Sequence, residues 1–218
     1  RGALVVFLCI FTYFELVDAT NYLNHHYLVV LLGFLLLLTP ANRAFSLDVW
    51  RGAVKPKTTI PQLFIWMIML QIGIVYTCAG IAKLNSDWVL HALPLRIWLP
   101  VHQDLPIIGG LFKHAEIAYF FSWVGAFYDC TVFYFLCWKK SRPYAYITVV
   151  VFHLMTYILF NIGIFPWLMI TSNLIFFSDQ FHQRLYKVLS NVNQQSFVVS
   201  HKKIFSSFLG LYFLIQII

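Results

Sequence analysis

Pro61-Gln62-Leu63-Phe64-Ile65-Trp66-Met67-Ile68-Met69-Leu70-Gln71-Ile72-Gly73-Ile74-Val75-Tyr76-Thr77-Cys78-Ala79-Gly80-Ile81-Ala82 is an apolar run that ends directly on Lys83. At 1.5 Å per residue a helix of ~20 residues crosses a bilayer core of ~30 Å. Proline suits a helix first turn, so the run predicts a membrane helix from Pro61 to about Ala82. Lys83 closes it with an ammonium group. Inserting such a group costs roughly 2.5–3.5 kcal/mol at a helix centre and less near the ends. Two readings follow. A lysine at a helix end can snorkel to water and anchor the helix. In partly dry surroundings it can instead give up its proton near neutral pH and serve as a base.

Working outward, the same character continues through the chain. Of 218 residues, 61% are hydrophobic and 11% charged, and mean hydropathy is +0.76. A soluble domain of this size needs a far more polar surface. The twelve Tyr and seven Trp suit interfacial belts. Apolar runs are expected as helices at Ala3–Val17, from His26 or Tyr27 to Thr39 before Pro40, and from Glu116 to Trp138. The segment 85–114 is broken by Pro94, Pro100 and Pro106 and reads as interfacial or re-entrant. Residues 144–177 are too long for one span. Gly163 is expected to end one short helix and Pro166 to start the next. A last run begins at Ile204. The fold class is all-α: a polytopic transmembrane helical bundle with short, broken and re-entrant segments. Residues 1–218 read as one transmembrane domain cut at both ends.

The net charge of +7 sits in short loops, which points to topology and anionic lipid headgroups rather than nucleic acid. Loops 40–60, 139–143 and 178–203 carry Arg43, Arg51, Lys55, Lys57, Lys139, Lys140, Arg142, Arg184, Lys187, Lys202 and Lys203. The positive-inside rule places them on the cytoplasmic side and His25, Lys83 and the 161–166 turn on the other. Cys9, Cys78, Cys130 and Cys137 form no CxxC, so neither a zinc site nor a disulfide framework follows, and they are expected as small buried hydrophobes. No metal site is predicted. GxSxG, HExxH, P-loop and GxGxxG patterns are absent.

Other polar residues stand out against the apolar background. His153, in Val149-Val150-Val151-Phe152-His153-Leu154-Met155, is a functional candidate or a bond to another helix. Asp129 lies mid-helix, where a carboxylate must be protonated or paired. An Arg, a His or a backbone group is its expected partner. Asp87, one turn beyond Lys83, is a candidate partner for that amine. His25 opens the second helix as an interfacial histidine or a site residue, with Asn24 its expected N-cap. Glu15 and Asp18 are expected to share a helix face.

Four stretches resemble one family. They are Asn24-His25-His26-Tyr27-Leu28, Ala41-Asn42-Arg43-Ala44-Phe45-Ser46-Leu47-Asp48, Tyr76 to Trp88 around Ala79-Gly80-Ile81-Ala82-Lys83-Leu84, and Phe152-His153-Leu154-Met155 leading to Leu159-Phe160-Asn161-Ile162-Gly163-Ile164-Phe165. Together they resemble the horizontally transferred transmembrane (HTTM) domain of vitamin K-dependent γ-glutamyl carboxylases and their bacterial relatives. The resemblance implies that Lys83 deprotonates reduced vitamin K (the hydroquinone). Oxygen, a peptide glutamate and CO2 then yield the epoxide and the carboxylated product. It implies active-region roles for His25 and His153. Asn24, Tyr76 and Asn161 are candidates for substrate or cofactor binding, and Asp129, Arg43 and Asp87 for structural polar roles. Membrane lipids and a glutamate-containing protein are the implied partners. The implied setting is the endoplasmic reticulum membrane in a eukaryote or the inner membrane in a bacterium, with the active face lumenal or periplasmic and a lumenal domain following the membrane part. The chain departs at Ala82, where animal carboxylases resemble a Lys-Lys pair, and at Leu23 and His26. Quinol oxidation with another acceptor, and a transporter or lipid-binding scaffold, are the alternatives.

Overall fold

A computed structural model describes residues 1–185 except 19, 21, 22, 44, 45 and 57–59. Lys57, Lys187, Lys202, Lys203, the run from Ile204, and Ala44-Phe45 of the family-like stretch lie outside the described residues. Every regular element among those described is helical. Among the described residues two helices are long and apolar enough to cross a membrane, or three if the bent pair Asn24–Leu38 and Ala41–Trp50 is one span. The chain divides into two compact units. One comprises Arg1–Met69 with Phe177–Ile218, and the other Leu70–Phe176.

In the first unit α1 (Gly2–Val17) and α2 (Asn24–Leu38) pack antiparallel. Leu28, Val29, Leu32, Gly33 and Leu36 form the buried face of α2 at helical spacing. A Cβ on Gly33 would come within 2.7 Å of Leu8, so glycine permits the close approach. Glu15 lies 3.0 Å from His26 Nδ1, giving the carboxylate a partner on the other helix. Asp18 instead caps the end of α1 and accepts from the Thr20 N–H and hydroxyl, which corrects the expectation that the two carboxylates act from one face. Asn24 also departs from expectation. The N-cap of α2 is Leu23, with no side-chain bond, and Asn24 is already helical. Thr39 and Pro40 end α2 as expected. Arg43 closes a 3-10 turn at Ala41–Arg43, and α3 (Leu47–Trp50) is capped by Ser46.

Helix α4 (Gln62–Lys83) runs from the first unit into the second. Segment 85–114 folds into short turns, including α5 (Ser86–His91) and α6 (Leu95–Trp98), rather than a span. Ala92, Leu95, Leu99 and Phe112 bury there against Ala118 and Leu159. Helix α7 (Ala115–Cys137) buries Ala118, Ser122, Gly125, Asp129, Val132 and Leu136, an alternating four-three spacing that makes one continuous seam. Helix α8 (Arg142–Leu159) and α9 (Phe165–Ser172) form the predicted hairpin, and the Tyr146 hydroxyl donates to Ile170 O across it at 3.1 Å. Phe160, in extended backbone, ends α8, so Gly163 is the turn residue (φ +62°) rather than the helix stop. Pro166 stands in the first turn of α9, as expected. Cys9, Cys78 and Cys137 are exposed and Cys130 is half-buried, contrary to the expectation of burial. An outward position on a membrane helix is already apolar, so burial in protein is not required of a thiol there.

Candidate active site

Gly80 sets the site. A Cβ there would lie 2.7 Å from Cys130 Sγ and 2.9 Å from the Cys130 backbone nitrogen. Gly73, two turns earlier, faces the Phe133 ring in the same way. The two glycines let α4 pass close to α7, in antiparallel sense, as small residues do between membrane helices. Side chains on a helix tilt toward its N-terminus. Lys83 therefore reaches back along α4 rather than out from its end.

The amine donates to Asp129 Oδ2 at 2.5 Å and lies 3.4 Å from Ala79 O. It also stands 5.2 Å from the centre of the Trp88 ring, in cation–π range. The Lys83 side chain is 21% exposed and that of Asp129 only 6%. This corrects two expectations. Asp129 pairs with a lysine rather than with an Arg, a His or the backbone. Asp87 does not pair with Lys83: it is exposed, in the first turn of α5. The turn between α4 and α5 explains the choice. Asn85 donates to Ala82 O at 2.7 Å and accepts from the Trp88 N–H at 2.9 Å, folding α5 back so that Trp88, not Asp87, meets the amine. Trp88 is then locked to α7: its indole N–H donates to Ser122 O at 2.7 Å, and the Ser122 hydroxyl donates to Trp88 O at 2.5 Å.

Beside this pair is a buried hydrogen-bonded group. The Asn173 amide donates to Tyr76 Oη at 2.9 Å and to Met169 O at 2.7 Å. Tyr76 Oη is 3.4 Å from both Tyr128 Oη and His153 Nε2. With one proton, the Tyr76 hydroxyl donates to either of these and accepts from the rest. His153 is 2% exposed, ringed by Phe152, Phe165 and the two tyrosines. Its Nδ1 and the Asn173 Oδ1 have no hydrogen-bond partner among the described residues.

Lys83, Asp129, Tyr76, Tyr128 and His153 line one cleft of about 1240 Å³, drawn wholly from the second unit. Asn161, in the turn between α8 and α9, lines it too. Among the described residues Lys83 and Asp129 are the only Lys, Arg, Asp or Glu in its wall, which is otherwise mostly aliphatic and aromatic. The volume exceeds the ~300–1,000 Å³ usual for small-molecule sites. The cleft thus suits a large apolar ligand carrying a few polar atoms. Among the described residues no group of three or more His, Cys, Asp or Glu could hold a metal. Asn24, His25 and Arg43 belong to the first unit. His25 there is half-buried with its ring edge-on to His26 at 4.7 Å.

A family model of the HTTM domain matches residues 1–181, spanning both units and every site residue named above. The chain belongs to the HTTM-domain family. HTTM domains occur in proteins related to vitamin K-dependent carboxylases. No solved structure matches the chain. In this HTTM domain, sequence reasoning missed Tyr128, Trp88 and Asn173 as site residues. Tyr128 directly precedes Asp129, and Trp88 follows Lys83 by five positions, but neither stands out among so many aromatics. Asn173, in an apolar stretch from α9 onward, was the signal that a polar-residue scan could have caught.

Proposed function

We propose that this HTTM protein is a membrane enzyme of the vitamin K-dependent γ-glutamyl carboxylase type, with Lys83 as the base. The observation that carries the reading is the direction of the Lys83 side chain. It turns away from the helix end, into an apolar cleft, onto a carboxylate and an indole ring. A snorkelling lysine would do the reverse. Membership of the HTTM family supports the same reading.

The cleft residues fit a reduced vitamin K. Its apolar wall suits a fused ring and an isoprenoid tail, and its polar residues can meet the ring oxygens. When bound with oxygen, reduced vitamin K supplies the strong base that takes the γ-proton of a peptide glutamate before CO2 adds. Lys83 Nζ accepts the hydroxyl proton that starts this chemistry, and Trp88 then steadies the ammonium formed. His153, Tyr76 and Tyr128 orient the ring by hydrogen bonding. The apolar wall excludes water, which protects a strong base and strengthens every electrostatic contact inside. We place the protein in the endoplasmic reticulum membrane or a bacterial inner membrane, with Lys83 toward the lumenal or periplasmic side.

The test is turnover by the purified full-length protein in lipid nanodiscs with reduced vitamin K. Oxygen uptake with epoxide formation, and incorporation of labelled CO2 into a glutamate peptide, are expected. Epoxide without carboxylation would restrict the reading to quinol oxygenation. Absence of both products would overturn it.

A further inference from the structure

Lys83 and Asp129 form an ion pair, yet a base must be a neutral amine. The geometry offers a way to resolve this. Asp129 is 5% exposed, so protein already shields it. Lys83 is 21% exposed on its side chain and lines the cleft, so the water reaching the pair comes largely to the amine. Water stabilises the charged form of such a pair. In a dry, low-dielectric site two unsolvated charges are costly and the groups neutralise instead.

We propose that Asp129 is a positioning residue that receives the Lys83 proton when an apolar ligand fills the cleft, so that the ligand itself generates the base. In the step, one N–H bond of the Lys83 ammonium breaks and an O–H bond forms at Asp129 Oδ2, 2.5 Å away. A charged pair becomes a neutral amine and a carboxylic acid, with no change in net charge. The amine lone pair is then free to take a proton from an O–H of the ligand. Trp88, which favours a cation at 5.2 Å, and Ala79 O hold the nitrogen in place. When the cleft refills with water the Asp129 proton leaves, to the amine where that is still neutral or to water where the amine has taken the ligand proton, and the charged pair is restored. The titratable groups around the pair are Tyr76 on α4, Tyr128 on α7 and His153 on α8, joined to one another by hydrogen bonds. The exposed Asp87 lies on α5. No ion pair among the described residues joins Lys83 or Asp129 to a third charge.

The switch rests on the reading of Lys83 as a base, but its test requires no turnover. Infrared difference spectra are recorded on the full-length protein as the cleft is loaded with either of two probes. These are oxidised vitamin K, which has no acidic hydroxyl, and phytane, a branched alkane without a quinone ring. A protonated-carboxyl C=O band is expected to appear with at least one probe. It should vanish in Asp129→Asn and persist, displaced, in Asp129→Glu. A band with phytane alone would support the switch while counting against a vitamin K site. No band with either probe, or a band that survives in Asp129→Asn, overturns the proposal.

Discussion

A lysine that closes an apolar helix has two directions open to it, outward to water or back along its own helix. Lys83 takes the second because Asp129 and Trp88 wait there, 2.5 and 5.2 Å from its nitrogen. Removing one partner of such a pair leaves an uncompensated charge in an apolar place, a penalty of about 3–5 kcal/mol where burial is complete. At a fifth exposed, Lys83 escapes part of that through the cleft. Tyr76 makes a second residue-scale case. Its hydroxyl bridges Asn173, His153 and Tyr128, so Tyr76→Phe strands buried polar groups on three elements. We expect a loss of about 1–3 kcal/mol of stability, measured by denaturation in detergent. No loss would mean that the four groups are not one network. That Lys83, His153 and Asp129 need polar surroundings was legible in the sequence because a charge or imidazole in a membrane run is rare and costly. Their partners were not. Which of Asp87 and Asp129 meets Lys83 depends on the Asn85 turn and on the approach of two helices, and neither leaves a local pattern.

At the scale of elements, helices followed from hydrophobic length, and their observed limits fall within a few residues of those expected. The seam on α7 was also present in the sequence as a four-three spacing through Asp129, a register that points the carboxylate inward. What spacing could not give was how closely α4 and α7 pass. That rests on Gly80, where any Cβ meets Cys130 backbone. Gly80→Ala should therefore part the helices at the Lys83–Asp129 contact. The expected cost is about 1–3 kcal/mol for overpacking, with loss of activity. Gly110→Ala, with nothing within 4 Å of the added carbon, is the control and should be neutral. If both substitutions behave alike, the close crossing is not what holds the pair. The hairpin of α8 and α9 depends on backbone conformation instead. Gly163 has φ +62° and open space around it, so Gly163→Ala should cost about 1–2 kcal/mol through backbone strain alone, read from the same denaturation.

For the whole molecule, composition was enough to place the chain among helical membrane proteins, because 61% hydrophobic residues cannot be buried by 218 residues in water. The division into two units was not foreseen, since both share one composition and α4 belongs to each in part. The second unit holds the cleft and the Lys83 pair, while the first holds His25 and the Glu15–His26 contact. The central claim is that the Lys83 amine accepts a proton from a quinol. Its most direct test is epoxide formation from reduced vitamin K by Lys83→Arg and Lys83→Ala beside the wild-type protein, with correct folding checked for each. An arginine keeps the charge and the reach but cannot become neutral at pH 7. Both variants should lose epoxide formation by at least about a hundredfold, in line with the ~10²–10⁴ that general acid–base catalysis contributes. An arginine variant that makes the epoxide at close to the wild-type rate would contradict the account, for Lys83 would then be only an anchor.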